Sequence, residues 1–128
     1  MAGISSGAAG EVLAARFLRD KGYEIAAVNF HSRFGEIDII ARNAHYIVFV
    51  EVKTRDGNSL YAPREAVTVS KQRKIIKTAA LYLQTHASDL QPRFDVVEVY
   101  TQKAQPMAAC EIDHIQGAFE AGDLHEAF

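Results

Sequence analysis

The sequence predicts a mixed α/β domain in the order α-β-β-β-α-β-β, and three observations carry that prediction. Two segments repeat apolar residues at helical spacing and have residues suited to starting or ending a helix at their ends. Between them lie three apolar stretches joined by short polar turns, the pattern of an antiparallel meander. The second helix then separates the third strand from the fourth, a connection long enough to return parallel to a meander strand. A mixed central sheet flanked by helices follows.

The first helix is expected over residues 6 to about 21, where Ala9, Val12, Leu13, Phe17 and Leu18 recur at helical spacing and Gly22 stops the run. A first strand, at a sheet edge, is expected over 23–30, and residues 31–34 turn into the central stretch 35–55, GEIDIIARNAHYIVFVEVKTR. That stretch reads as two strands joined by a short turn. Asp56-Gly57-Asn58-Ser59 and the following Pro63 form a polar loop, predicted to be mobile. Ser70 is the expected N-cap of the second helix, 71 to about 86, with Ile75, Ile76, Ala79, Ala80 and Leu83 as its buried stripe. Pro92 ends the connection, a fourth strand spans 94–100 and a fifth 109–115. The tail from about 116 is expected to be peripheral, with a short helix.

At 128 residues and 48% hydrophobic content, the chain suits one domain with a single core, over 1–128. The net charge of −2 means that nucleic acid would have to be bound through a local patch. One cysteine, Cys110, excludes an intramolecular disulfide and fits a reducing compartment. The expected setting is cytoplasmic, without a signal peptide or membrane span. The histidines have no zinc-ligand spacing, and the early glycines lack the features of a phosphate-binding loop.

The chemistry concentrates in the central hairpin. Asp38 interrupts one apolar run, and Glu51 and Lys53 close the other. Burying an unpaired carboxylate costs several kcal/mol or shifts its pKa until it neutralises. Alternation puts Glu36 with Asp38 and sets Phe49, Glu51 and Lys53 on a common face, with Val48, Val50 and Val52 opposite. The two charged sets coincide only if the loop between the strands has an even length. A two-residue loop at Asn43-Ala44 opposes Asp38 to Phe49; a four-residue loop from Asn43 to Tyr46 opposes Asp38 to Glu51. Either brings the carboxylates to ~5–8 Å between Cβ atoms. A divalent ion held by oxygen ligands resolves their repulsion, and so does an ion pair with Lys53. Glu11 poses a similar choice on the flank of the first helix, between complementing the macrodipole and pointing inward as a functional acid.

The strings GEIDIIA and FVEVKTR resemble the PD-(D/E)XK nuclease motif, with Asp38 as the first acid, Glu51-Val52-Lys53 as E-x-K, and Ile37 where the motif's name has proline. The chain more specifically resembles the YraN-like bacterial family of uncharacterised endonuclease-like proteins. The likeness runs through Gly10-Glu11, Gly22-Tyr23, Asn29, Glu65-Ala66-Val67, Lys71, Arg93-Phe94-Asp95, His114 and Ala118-Phe119; Ala62 departs from it near an expected glycine. The resemblance implies a restriction-endonuclease-like αβββαβ core and a fold relationship to archaeal Holliday junction resolvases. It implies Mg²⁺ or Mn²⁺ on Asp38 and Glu51, the Val52 carbonyl as a further ligand, Lys53 positioning the attacking water, and Glu11 as an added metal or water ligand. Glu36 is an outer candidate.

Lys71, Arg73, Lys74 and Lys77 crowd the start of the second helix, where the macrodipole is already positive. A phosphate there would compensate, with Arg55 extending the contact; the other reading is a solvated basic face. Arg16 and Arg19 are taken as solvent-exposed, and Asp95 as a structural partner of Arg93. The expected activity is metal-dependent hydrolysis of DNA, with branched or damaged DNA as candidate substrates and a homodimer worth testing. The alternative is a nucleic-acid-binding adaptor that keeps the fold without cutting.

Overall fold

A computed structural model describes residues 6–57, 66–102, 104–105, 107–108 and 111–122. Most of the polar loop, including Pro63 and Glu65, lies outside the described residues, as do Cys110 and residues 123–128. The element order is α1 (Ser6–Asp20), β1 (Glu24–His31), β2 (Glu36–Arg42), β3 (Tyr46–Asp56), α2 (Val69–Thr85), β4 (Gln91–Thr101) and β5 (Glu111–Phe119). The five strands form one sheet in sequence order. β1, β2 and β3 pair antiparallel, β4 runs parallel to β3, and β5 pairs antiparallel with β4. The expected mixed α/β architecture is therefore present, with β1 and β5 as its edges. No helix among the described residues is long and apolar enough to cross a membrane.

Each face of the sheet buries its own core. Ala14, Ala15 and Leu18 of α1 pack on Ile39, Ala41, Val48, Val50, Val97 and Val99. Ile75, Ile76, Ala79 and Tyr82 of α2 pack on Ile40, Ile47, Phe49 and Phe94. Alternation along β3 explains the split, since successive side chains leave opposite faces of the sheet. β2 departs from it: Ile37 joins Ile40 in the α2 core, although strict alternation from Ile39 would send it to α1. The irregularity brackets Asp38.

Three boundaries differ from the sequence expectation. The N-cap of α2 is Thr68, whose Oγ1 accepts from Lys71 N–H, and Ser70 lies inside the first turn. Pro92 sits within β4, in parallel register with Ile47, rather than ending the connection. β5 continues through Phe119, so residues 116–119 are strand and not helix. Phe119 pairs with Phe94 and joins the α2 core, because the pairing hydrogen bonds and the stacked rings hold what local propensity left open.

Candidate functional site

The hairpin resolves the loop alternative. Arg42 opposes Ile47 and Ile39 opposes Val50, so the loop is the four-residue one from Asn43 to Tyr46. Asn43 Oδ1 accepts from His45 N–H and Tyr46 N–H at 2.9 and 2.8 Å and shapes the turn. The β2–β3 ladder ends at Ile39–Val50, one step before Asp38 would face Glu51. Asp38 is half-buried there, and its Oδ2 accepts from Val52 N–H at 2.7 Å. A carboxylate therefore stands in for a backbone acceptor where the two strands part.

Around that point the acids gather. Glu11, Glu36 and Asp38 each offer a carboxylate oxygen, all within 4.8 Å of one another. Burial pushes the Asp38 carboxyl up to about 7, with Glu51, Glu11 and Glu36 adding to the rise and the Val52 N–H opposing it. Burial, then the charges of Glu36 and Glu51, also raise Glu11. The first turn of α1 carries no acid, and Glu11 lies beyond it. The macrodipole effect fades within that turn, so it does not account for Glu11.

The convergence differs in detail from the sequence expectation. Glu36, expected as an outer group, is a member of the close trio, while Glu51 is not. Glu51 is buried, and its Oε1 lies 2.7 Å from Lys71 Nζ, so α2 supplies the cation that meets it. Lys71 is raised above its usual value, chiefly by that hydrogen bond. Glu51 still shares a cleft of about 420 Å³ with Glu36, Asp38, Ser70, Lys71 and Lys74; Glu11 is not among the described residues lining it.

Lys53 follows on β3, half-buried and in register with Glu98 of β4, and is not among the described residues lining the cleft. Arg55 turns toward β4, with Nη1 3.6 Å from Glu98 Oε1 and its guanidinium 6.0 Å from the Tyr100 ring. Its charge is thus met inside the fold rather than extended over the cleft. Arg73 and Lys74 are exposed, and Lys77 reaches Phe34.

The family is decided by the chain as a whole: the model of the uncharacterised protein family UPF0102 matches residues 10–99, which span the trio, β3 and α2. The chain belongs to that family. A UPF0102 protein of Caldanaerobacter subterraneus subsp. tengcongensis is 44% identical over 114 residues, covering 88% of this chain and 93% of that one. One of Nocardia farcinica is 49% identical over 115 residues, 88% of this chain and 87% of the relative. One of Acetivibrio thermocellus is 46% identical over 118 residues, 90% and 91%.

In this UPF0102 chain the site also holds a residue to which no motif in the sequence assigns a role. Asn29 on β1 has φ +50°, a left-handed conformation that Asn adopts more readily than most residues. With its amide nitrogen turned to the acids, it donates to Glu11 Oε1 at 2.8 Å and Glu36 Oε1 at 3.0 Å. An Asn inside an apolar strand was the available signal. Asp95 is structural, as expected: fully buried, it takes two bonds from Arg93 at 2.9 and 2.8 Å, one from Gly117 N–H at 3.0 Å, and lies 2.6 Å from His114 Nε2. Burial alone would raise its carboxyl, but His114, Arg93 and the Gly117 N–H hold it below the usual range.

Proposed function

We propose that the chain is a metal-dependent nuclease of the PD-(D/E)XK type acting on DNA in the cytoplasm. The observation that carries this reading is Asp38: a carboxylate fixed on Val52 N–H where two strands part, with its pKa driven to about 7 by burial and three more acids. A cluster in that state is costly unless a positive charge enters it. The donor set is all oxygen, which suits Mg²⁺ or Mn²⁺ over softer ions. Asp38, Glu11 and Glu36 fit as the residues that would hold the ion, with Glu51 joining once Lys71 releases it.

A bound divalent ion would supply Lewis acidity at a phosphate oxygen and a lowered pKa for a water. The remaining work belongs to the protein. The Val52 N–H fixes the Asp38 carboxylate, and Asn29 spaces Glu11 from Glu36. Lys53, two residues beyond Glu51, is assigned the positioning of the attacking water or the charge developing on the phosphate. Lys71 and Lys74 at the cleft mouth are suited to the phosphates beside the scissile bond.

The test is incubation with linear and four-way-junction DNA in Mg²⁺ or Mn²⁺, beside Asp38→Ala and Lys53→Ala. Cleavage by the parent and loss in both variants is the expected result. Cleavage surviving both substitutions refutes the site assignment, and DNA binding without cleavage under either metal favours the adaptor.

A further inference from the structure

The turn between β1 and β2 lies at one end of the cleft, and the proposed catalysis gives it no role. Hydrogen bonds tie it together and to α2. Ser32 N–H donates to Gly35 O at 2.8 Å, and Ser32 Oγ accepts from Phe34 N–H at 3.0 Å. The same hydroxyl lies 2.8 Å from Thr78 Oγ1 of α2, which donates in turn to Lys74 O. Gly35 lets the turn seat closely, since a Cβ there would lie 3.3 Å from Lys74 Cβ. Turn and helix therefore present one surface.

That surface is cationic around an aromatic ring. The Arg33 guanidinium lies 4.8 Å from the Phe34 ring centroid, and Lys77 Nζ lies 5.3 Å from it. Cation–π attraction of this kind holds flexible side chains in place and reduces the entropy they lose on binding. Lys74 lies beside Gly35 and also lines the cleft. α2 carries four cations and no acid along its length; Lys71 is met by Glu51 of β3, and no acid on the helix itself faces Arg73, Lys74 and Lys77. From Lys71 to Lys77 the helix rises ~9 Å at ~1.5 Å per residue, the axial length of two to three base pairs at ~3.4 Å each.

We propose that the β1–β2 turn is an arm of a DNA-backbone clamp. Arg33, steadied by Phe34, acts with Lys74 and Lys77 to grip consecutive phosphates of the strand that continues into the cleft. Its placement relative to the scissile bond rests on the nuclease reading; the binding itself does not. The occupant is a sugar–phosphate backbone because the patch offers charge and a ring already engaged by cations, with no groups arranged to read base edges.

The experiment is fluorescence anisotropy of a labelled DNA duplex across a salt series, with Ca²⁺ replacing Mg²⁺ to separate binding from cleavage. Arg33→Gln and Lys77→Gln should each weaken binding roughly 3- to 10-fold and reduce the slope of log affinity against log salt by about 1. Phe34→Leu should weaken binding with the slope intact, because the charges remain. Arg16→Gln, an exposed charge on α1, changes net charge equally and should stay within about twofold of the parent. The clamp is overturned if the parent fails to bind DNA, if Arg33→Gln and Lys77→Gln bind like the parent, or if Arg16→Gln weakens binding as much as they do. Binding that follows the expected pattern in a protein that never cleaves leaves the clamp standing and removes the nuclease reading.

Discussion

Asp38 is held by one hydrogen bond and opposed by three charges, so its ionisation is coupled to folding. A carboxyl raised from its usual value to about 7 binds its proton more tightly in the folded chain than in the unfolded one. Between the unfolded pKa near ~4 and the folded value, the native state carries the extra proton, so this group's contribution to stability falls as pH rises through that window and is flat above it. Asp38→Asn keeps an acceptor for Val52 N–H and removes the charge. Urea unfolding should therefore find the variant more stable than the parent at pH 8, on the order of 1–2 kcal/mol after solvent screening, with the difference vanishing near pH 4. A variant less stable than the parent at pH 8 would show that the carboxylate is already compensated. Lys71 predicts the opposite balance, being the cation bonded to Glu51 at the mouth of this cluster. Lys71→Met should destabilise the metal-free protein and tighten Mn²⁺ binding by releasing Glu51, while weakening DNA binding; calorimetric titration with Mn²⁺ measures the second effect, and unchanged affinity would mean Glu51 stays outside the metal site. Strand alternation made Asp38 and Glu51 legible in the sequence as neighbours. The Lys71 bond was not, because it depends on where the start of α2 meets the sheet, and no local pattern encodes that approach. Asn29 was obscure for a similar reason: its role comes from a left-handed backbone and two acids from other elements.

The trio exists only because α1 lies close against β3 and brings Glu11 to a site built mainly from β2. Gly10 permits that approach. A methyl added there would collide with Thr54 Oγ1 and lie 3.1 Å from Thr54 Cβ. Helix propensity alone favours Gly10→Ala by roughly 0.5–1 kcal/mol, whereas overpacking at a tight contact costs about 1–3 kcal/mol. The close contact should win. Gly10→Ala is expected to lower the melting temperature and weaken Mn²⁺ binding by displacing Glu11, and Thr54→Ala in the same chain should restore most of both by removing the obstructing hydroxyl and methyl. Stabilisation by the single substitution would mean that α1 has room to spare. At this scale the periods of 3.6 and 2 gave the sequence reading its power, since helices, meander and parallel return all follow from them. Where the structure departs from these periods, the cause is tertiary contact. Ser ranks above Thr as a cap by residue type, yet Thr68 holds the position because its hydroxyl is the one that reaches Lys71 N–H; residues 116–119 have no strong pattern, and Phe119 is decided by its partner Phe94, far away in the chain.

At the scale of the molecule, the described residues build two apolar cores on opposite faces of the sheet from side chains that include none of the clustered acids, while Asp38 stands where β2 and β3 part. This arrangement differs from a structural zinc site, in which metal binding supplies the folding free energy. Removal of metal should accordingly leave the fold intact: far-UV circular dichroism and the melting temperature of protein prepared without added divalent ions should not change in EDTA. Addition should stabilise modestly, because an ion that binds only the folded state contributes RT ln(1 + [L]/Kd). For a dissociation constant on the order of 1 mM, about 10 mM Mg²⁺ gives ~1.4 kcal/mol, a shift of roughly 3–6 °C for a chain of this size. The Asp38 proton competes with the ion, so the shift should be larger at pH 8 than at pH 5.5, and Asp38→Asn should remove most of it at both. An equal shift in parent and variant would place the ion somewhere other than this cluster. Unfolding in EDTA would mean that the acids hold the sheet together only through a metal, which the two closed cores argue against.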